Sequence, residues 1–150
     1  MRVAERMTEH LISCAAADSL ATAARLLLDE DCDCVPVVDH GGRVRGMLTD
    51  RDICMAAFKT GRSLAELRVR DAMAKDVAST RPSASLAAAV MVMRSRGICQ
   101  LPVLDAQNRM IGLLRCNDLL SWVDDGDAHG GGEPATPMAA PAAAPHCAQS

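Results

Sequence analysis

The chain has 150 residues, 49% of them hydrophobic, and a net charge of −3. Phe58 and Trp122 are the only aromatics, so any core must be built from Leu, Val, Ile, Met and Ala, in one compact domain or two small repeats. Slight acidity, no basic run and no aromatic stacking surface argue against a nucleic-acid partner, and no apolar stretch approaches the ~20 residues of a membrane span.

Met1 to His10 alternates charged and apolar residues and lacks the apolar stretch of a signal peptide, which predicts a cytoplasmic protein. The first predicted element is a short apolar segment at Leu11-Ile12. A helix follows, with Ser19 as its N-cap. Leu20, Ala23, Ala24, Leu27 and Leu28 recur at the spacing of one helical face. Val35 to Val38 reads as a strand, with Pro36 near its start. The turn Asp39-His40-Gly41-Gly42 leads into a second strand, Arg43–Leu48. A second helix opens at once, Asp50–Phe58.

The same order returns 66 positions later without a gap. Val3 falls on Val69, Met7 on Met73, Ser19-Leu20-Ala21 on Ser85-Leu86-Ala87, and Pro36-Val37 on Pro102-Val103. Asp39, Arg43, Gly46, Leu48 and Asp52 fall on Asp105, Arg109, Gly112, Leu114 and Asp118. Copy two therefore reads as Val77-Ala78, a helix capped by Ser85, strands Leu101–Leu104 and Arg109–Leu114, and a helix Asn117–Val123. The predicted units are residues 3–57 and 69–123, joined by a linker at 58–68 in which Ser63 caps a short turn. Residues 124–150 are rich in Ala, Pro and Gly, have little to bury and are expected to be disordered, with Gly126–Ser150 dispensable for folding and ligand binding. The predicted core contains Leu20, Ala24, Leu27, Val37, Met47, Leu48, Leu86, Val90, Met93, Val103, Leu113 and Leu114. Ile53, Met55, Leu119 and Leu120 lie outside that stripe, which suggests burial against a second copy in a homodimer.

The repeated pattern resembles the CBS repeat. Copy one carries Met7, Ser19-Leu20, Ala23, Pro36-Val37-Val38-Asp39, Arg43 and Gly46-Met47-Leu48-Thr49-Asp50-Arg51-Asp52. Copy two carries Met73, Ser85-Leu86, Ala89, Pro102-Val103-Leu104-Asp105, Arg109 and Gly112-Leu113-Leu114-Arg115-Cys116-Asn117-Asp118. The resemblance implies an α/β fold, a tandem CBS pair of two βαββα repeats packed about a pseudo-twofold axis. It implies a non-catalytic module with no obligatory cofactor. Such a module binds an adenine nucleotide (AMP, ADP, ATP) or S-adenosylmethionine in the clefts between the repeats, and signals to an effector protein the sequence does not name.

Thr49-Asp50-Arg51-Asp52 is the most informative stretch. The N–H groups and dipole at a helix start suit a phosphate. Thr49 offers a hydroxyl, Asp52 can accept both hydrogens of a ribose diol, and Arg51 presents a planar fork to phosphate. The same residues also read as a capping box that merely starts the helix. The two roles are compatible. Copy two has Arg115 where copy one has Thr49 and keeps Asp118. Arg115 reads either as a guanidinium for a phosphate or as a surface arginine. By resemblance the adenine lies near Ile12, Val35 and Pro36, and near Ala78, Leu101 and Pro102. Each of these also reads as plain core.

The cysteines are Cys14, Cys32, Cys34, Cys54, Cys99, Cys116 and Cys147, an odd number at irregular spacing and no disulfide framework. Most read as small buried hydrophobes. Cys32-x-Cys34 with Cys99 suggests a thiol or metal sensor, but no second Cys pair or spaced His pair completes a site. His10, His40, His129 and His146 are scattered, and no nucleophile–base pair is visible. The alternatives to a nucleotide sensor are therefore a structural interaction module with empty clefts, or a thiol or metal sensor.

Overall fold

The computed structural model describes residues 1–120. The expected disordered tail, and the end of the last helix with Trp122, lie outside the described residues. In chain order the elements are a 3-10 turn Val3–Glu5, α1 Leu20–Asp29, β1 Cys34–Val38, β2 Val44–Thr49, α2 Asp50–Thr60, α3 Val69–Ala72, α4 Leu86–Arg96, β3 Gln100–Leu104 and β4 Met110–Arg115. Residues 116–120 are helical.

The caps fall where the sequence puts them. Ser19 accepts the N–H of Thr22 at 3.1 Å and Ser85 that of Ala88 at 3.2 Å. Such a cap satisfies one of the helix's unpaired first-turn donors. Gly61 and Gly97 end α2 and α4 in the left-handed conformation, at φ 64° and 63°, where a side chain is strained.

β1 and β2 form one antiparallel hairpin and β3 and β4 another, each with its register shifted by a bulge before the turn. The apolar lead-in segments form no strand of their own. Each contributes one parallel bridge, Cys14 to Val37 and Thr80 to Val103. Of each expected βαββα unit, the first strand is thus reduced to a single residue, two positions beyond the apolar pair that suggested it. Pro36 sits mid-strand without harm. Its carbonyl accepts from Cys14, so its missing N–H faces that single-bridge edge and removes no hydrogen bond from the ladder with β2.

The segments just before these lead-ins cross to the other copy. Thr8 pairs with Leu113 of copy two, and Ala74, its counterpart 66 positions on, pairs with Met47 of copy one. Val69 is buried in the core of copy one, with Leu20, Ala23, Leu27, Val35, Val37, Leu48 and Ile53. Val3 is buried in that of copy two, with Leu86, Ala89, Met93, Leu101, Val103 and Leu114. Gly46 and Gly112 make room for the crossing chains. A β-carbon on Gly46 would sit 2.7 Å from Met73 Sδ and 2.8 Å from the Ala74 carbonyl. The hairpin turns also touch, Met110 N–H donating to the Gly42 carbonyl at 2.8 Å.

Most of the predicted core is buried, but Ala24, Met47 and Val90 are half-exposed. Leu28 is 74% exposed, because the stripe facing the sheet ends at Leu27. Ile53 is buried within its own chain and Leu119 packs against the second core, so neither is free for a dimer contact. The segment expected to be a linker is partly core. Leu67 is buried, and the Leu64 and Leu67 carbonyls accept the N–H groups of Ala21 and Leu20 at the start of α1.

Candidate ligand cleft

The start of α2 is built as a closed capping box. Thr49, the last residue of β2, accepts the Asp52 N–H at 3.1 Å, and Asp52 Oδ2 accepts the Thr49 N–H at 3.0 Å. This half-buried pair fixes both side chains at the mouth of a cavity of about 510 Å³ between the repeats. Thr49, Arg51, Asp52, Cys34 and Met47 come from copy one. Ala74, Asp76, Val77 and Ala78 come from the segment of copy two that runs from its crossing at Ala74 back to its own bridge at Thr80, and Ile98, Cys99 and Gln100 from the entry and first residue of β3. Val77, Ala78 and Ile98 supply the apolar part of the copy-two side of this lining. Asp76 and Arg96, also on the lining, are paired at 2.9 Å.

Gln100 is the one buried polar side chain here, 9% exposed, and its Oε1 has no hydrogen-bond partner. A buried acceptor without a donor is costly unless something binds it. Among the charged residues of the lining carboxylates outnumber cations, with Asp33, Asp50, Asp52 and Asp76 against Arg51 and Arg96.

A second cavity of about 540 Å³ adjoins the first and shares Asp33, Asp50, Cys99 and Gln100 with it. Asp31, Cys32, Arg115, Cys116 and Asn117 complete its lining. Arg115 is on this lining, half-buried, with its Nε buried and without a partner. Its guanidinium partly offsets the burial that raises Cys32 and Cys34. Cys34 still rises to about 12, chiefly from burial, with the Asp33 carboxylate adding to it.

Copy two keeps half of the capping box. Asp118 accepts the Arg115 N–H at 3.0 Å and the Thr8 hydroxyl at 3.5 Å. It lines neither cavity. Of the residues assigned to adenine, Ala78 lines the first cavity. Ile12, Val35, Pro36, Leu101 and Pro102 do not. They are buried, Val35 and Leu101 with no exposed surface, because α1 and α4 pack on the faces of β1 and β3 through Leu20, Leu27, Leu86 and Met93. Among the described residues, no three His, Cys, Asp or Glu are grouped so that they could hold a metal ion.

Sequence reasoning missed Asp76, Arg96 and Gln100. A signal for two of them existed in the repeat. Asp76 and Arg96 correspond to His10 and Glu30, which also approach each other, at 3.7 Å with the acidic and basic positions exchanged.

The profile of the CBS domain matches residues 3–59 and 69–125. The chain belongs to the CBS domain family. It is 32% identical over 117 residues to the CBS domain-containing protein YhcV of Bacillus subtilis, covering 78% of this chain and 81% of that protein. It is also 32% identical over 117 residues to a homoserine O-acetyltransferase of Methanococcoides burtonii, covering 78% of this chain but only 23% of that enzyme. Such enzymes carry the CBS part within a much longer chain. Among solved structures, the CBS domain pair of MJ0100, in complex with 5′-methylthioadenosine and S-adenosyl-L-methionine, superposes with a TM-score of 0.72 at 20% identity, covering 82% of this chain and 99% of that one. CBSX2 in complex with AMP superposes at 0.73 and 24% identity, covering 83% of this chain and 96% of that one. These likenesses show the fold, a tandem CBS pair. Among the described residues, no helix is long and apolar enough to cross a membrane.

Proposed function

We propose that this CBS pair is a cytoplasmic regulatory module that binds an adenosine-containing ligand in the cleft at Thr49 and Asp52 and passes the event to an effector protein. One observation carries this reading. The capped start of α2 lines one cavity of about 510 Å³ together with the apolar side chains Val77, Ala78 and Ile98 and the unpaired Gln100 acceptor. The ribose diol meets the Asp52 carboxylate, a base lies on the apolar side chains, and Gln100 Oε1 accepts from the amino group of adenine. Arg51 serves a single phosphate. Arg115 belongs to a weaker second cleft, and Asp118, which lines neither cavity, serves it by holding the Arg115 backbone. The ligands of MJ0100 and CBSX2 support the adenosine class.

The excess of carboxylates narrows that class. A ligand with one phosphate or a cationic group, such as AMP or S-adenosylmethionine, is favoured over ADP or ATP, whose added negative charge meets Asp33 and Asp50. The module works as a homodimer, since Met55 and Phe58 on α2 and Leu120 remain exposed on the helices.

Thermal-shift titration with AMP, ADP, ATP, S-adenosylmethionine, GMP and zinc tests the reading. A ligand at 100 times its Kd stabilises by ~2.7 kcal/mol. AMP or S-adenosylmethionine should shift the melt, with GMP weaker. A shift with none of the adenosine compounds would favour the structural module with empty clefts, and a shift with zinc alone would favour a metal sensor.

A further inference from the structure

Cys99 and Cys116 stand opposite each other across the β3–β4 hairpin. The ladder ends at Gln100 paired with Arg115, and the next pair outward in the same register is Cys99 with Cys116. The Cys116 N–H donates to the Cys99 carbonyl at 2.9 Å. Directly opposed, hydrogen-bonded residues of an antiparallel pair hold their α-carbons ~5.5 Å apart, inside the ~4.4–6.8 Å that a disulfide spans. The fold imposes this pairing. At the matching positions of copy one, the Asp50 N–H donates to the Asp33 carbonyl at the same 2.9 Å. Carboxylates occupy those positions in copy one and thiols in copy two.

We infer that Cys99 and Cys116 are a reversible thiol–disulfide pair, oxidised by a hydroperoxide, set into the wall of the two cavities. Cys99 is exposed and lines both cavities, and Cys116 is half-buried and lines one. Cys99 is the thiol a peroxide reaches. Its thiolate attacks one peroxide oxygen and the O–O bond breaks, giving a sulfenic acid and, with one proton, water. Cys116 Sγ then attacks the Cys99 sulfur, the S–OH bond breaks, and the Cys116 proton leaves with the hydroxide as a second water. Two thiols and one peroxide become one disulfide and two waters. Burial, then the hydrogen bond between the two thiols, pushes Cys116 up to about 11, so the closing step speeds up as pH rises. The bond would tie the entry of β3, beside Gln100, to the start of the helical segment that carries Asp118.

The test is brief treatment of the full-length chain with hydrogen peroxide, followed by thiol counting, intact mass and peptide mapping. The expected result is loss of two of the seven free thiols and of two hydrogen masses, restored by dithiothreitol, with Cys99 and Cys116 in one linked peptide. Cys116→Ser should abolish the link and leave on Cys99 a sulfenic acid that dimedone traps. Cys116→Ala, which removes any packing problem of a buried hydroxyl, should do the same. Cys32→Ser and Cys34→Ser should leave the link intact. Linkage of Cys32 to Cys34, intermolecular linkage only, or all seven thiols retained in a chain that melts normally would overturn the inference.

Discussion

Replacing Asp52 by Asn separates the two roles that one carboxylate holds. In the folded chain Asp52 Oδ2 accepts the Thr49 N–H at 3.0 Å, and its own N–H is taken by Thr49 Oγ1 at 3.1 Å. Asn keeps an acceptor oxygen of the same reach, so the capping box survives. Asp52→Ala removes half of it, and loss of a cap costs ~0.5–2 kcal/mol. The ligand responds differently. A hydrogen bond to a charged group contributes ~1.5–3 kcal/mol, and at ~1.4 kcal/mol per decade its loss weakens binding by about 10- to 150-fold. Asp52→Asn should therefore melt like wild type and bind AMP 10- to 150-fold more weakly by about those same estimates. Asp52→Ala should lose both. Asp118, whose partner residue in the box is Arg115 and which lines neither cavity, should matter less. Calorimetric titration with AMP, beside thermal melts of each variant, makes the comparison. If Asp118→Asn abolishes the tight event while Asp52→Asn leaves it untouched, the working cleft is the other one.

Gly46→Ala should destabilise by ~1–3 kcal/mol, the usual cost of overpacking, read as a lower urea midpoint. Met73 can yield, but the Ala74 carbonyl 2.8 Å from the new β-carbon is held by the Met47 N–H, so Met73→Ala should restore only part. The Asp39 and Asp105 carboxyls are held below their usual range, first by the backbone N–H groups of Arg43 and Arg109 and also by the side chains of Arg45 and Arg109. Depressed in the folded state, they contribute stability above the unfolded value of ~3.9 and lose it as pH falls through the folded one. The Asp39→Asn, Asp105→Asn double variant should show a shallower acid decline in melting temperature, and an unchanged decline would count against this. Phe58→Glu, at a side chain 83% exposed, should leave the melt within ~0.5 kcal/mol of wild type and drop the light-scattering mass from two chains to one. A mass still at two chains would place the interface off this face of α2.

The repeat was legible in the sequence because its signals are local. Ser19 and Ser85 cap their helices through atoms three residues away. Thr49 and Asp52 close a box within one turn, and the Asp39 and Asp105 turns are fixed by hydrogen bonds within four residues. A period of 66 that repeats Pro, Gly and Asp in register led to the family without any coordinates. The sequence also singled out Thr49, Arg51 and Asp52, because a strand end running into a helix start is a one-dimensional pattern.

What faces them was decided by tertiary structure. Nothing in a segment such as Met73 to Ala78 states whose edge it will pair with. Either hairpin offers the same backbone acceptors, and the exchange is settled by where Val3 and Val69 can both be buried, each in the other copy's core. That exchange carries Asp76, Val77 and Ala78 to the cleft opened by Thr49. Packing of α1 and α4 on the hairpins likewise buries the strand residues Val35, Pro36, Leu101 and Pro102, which the apolar pattern alone made equally good walls for a ligand. Gln100 and the Cys99–Cys116 pair were invisible for the same reason. A buried acceptor without a donor, and two thiols brought together from 17 positions apart by strand register, exist only once the chain has folded.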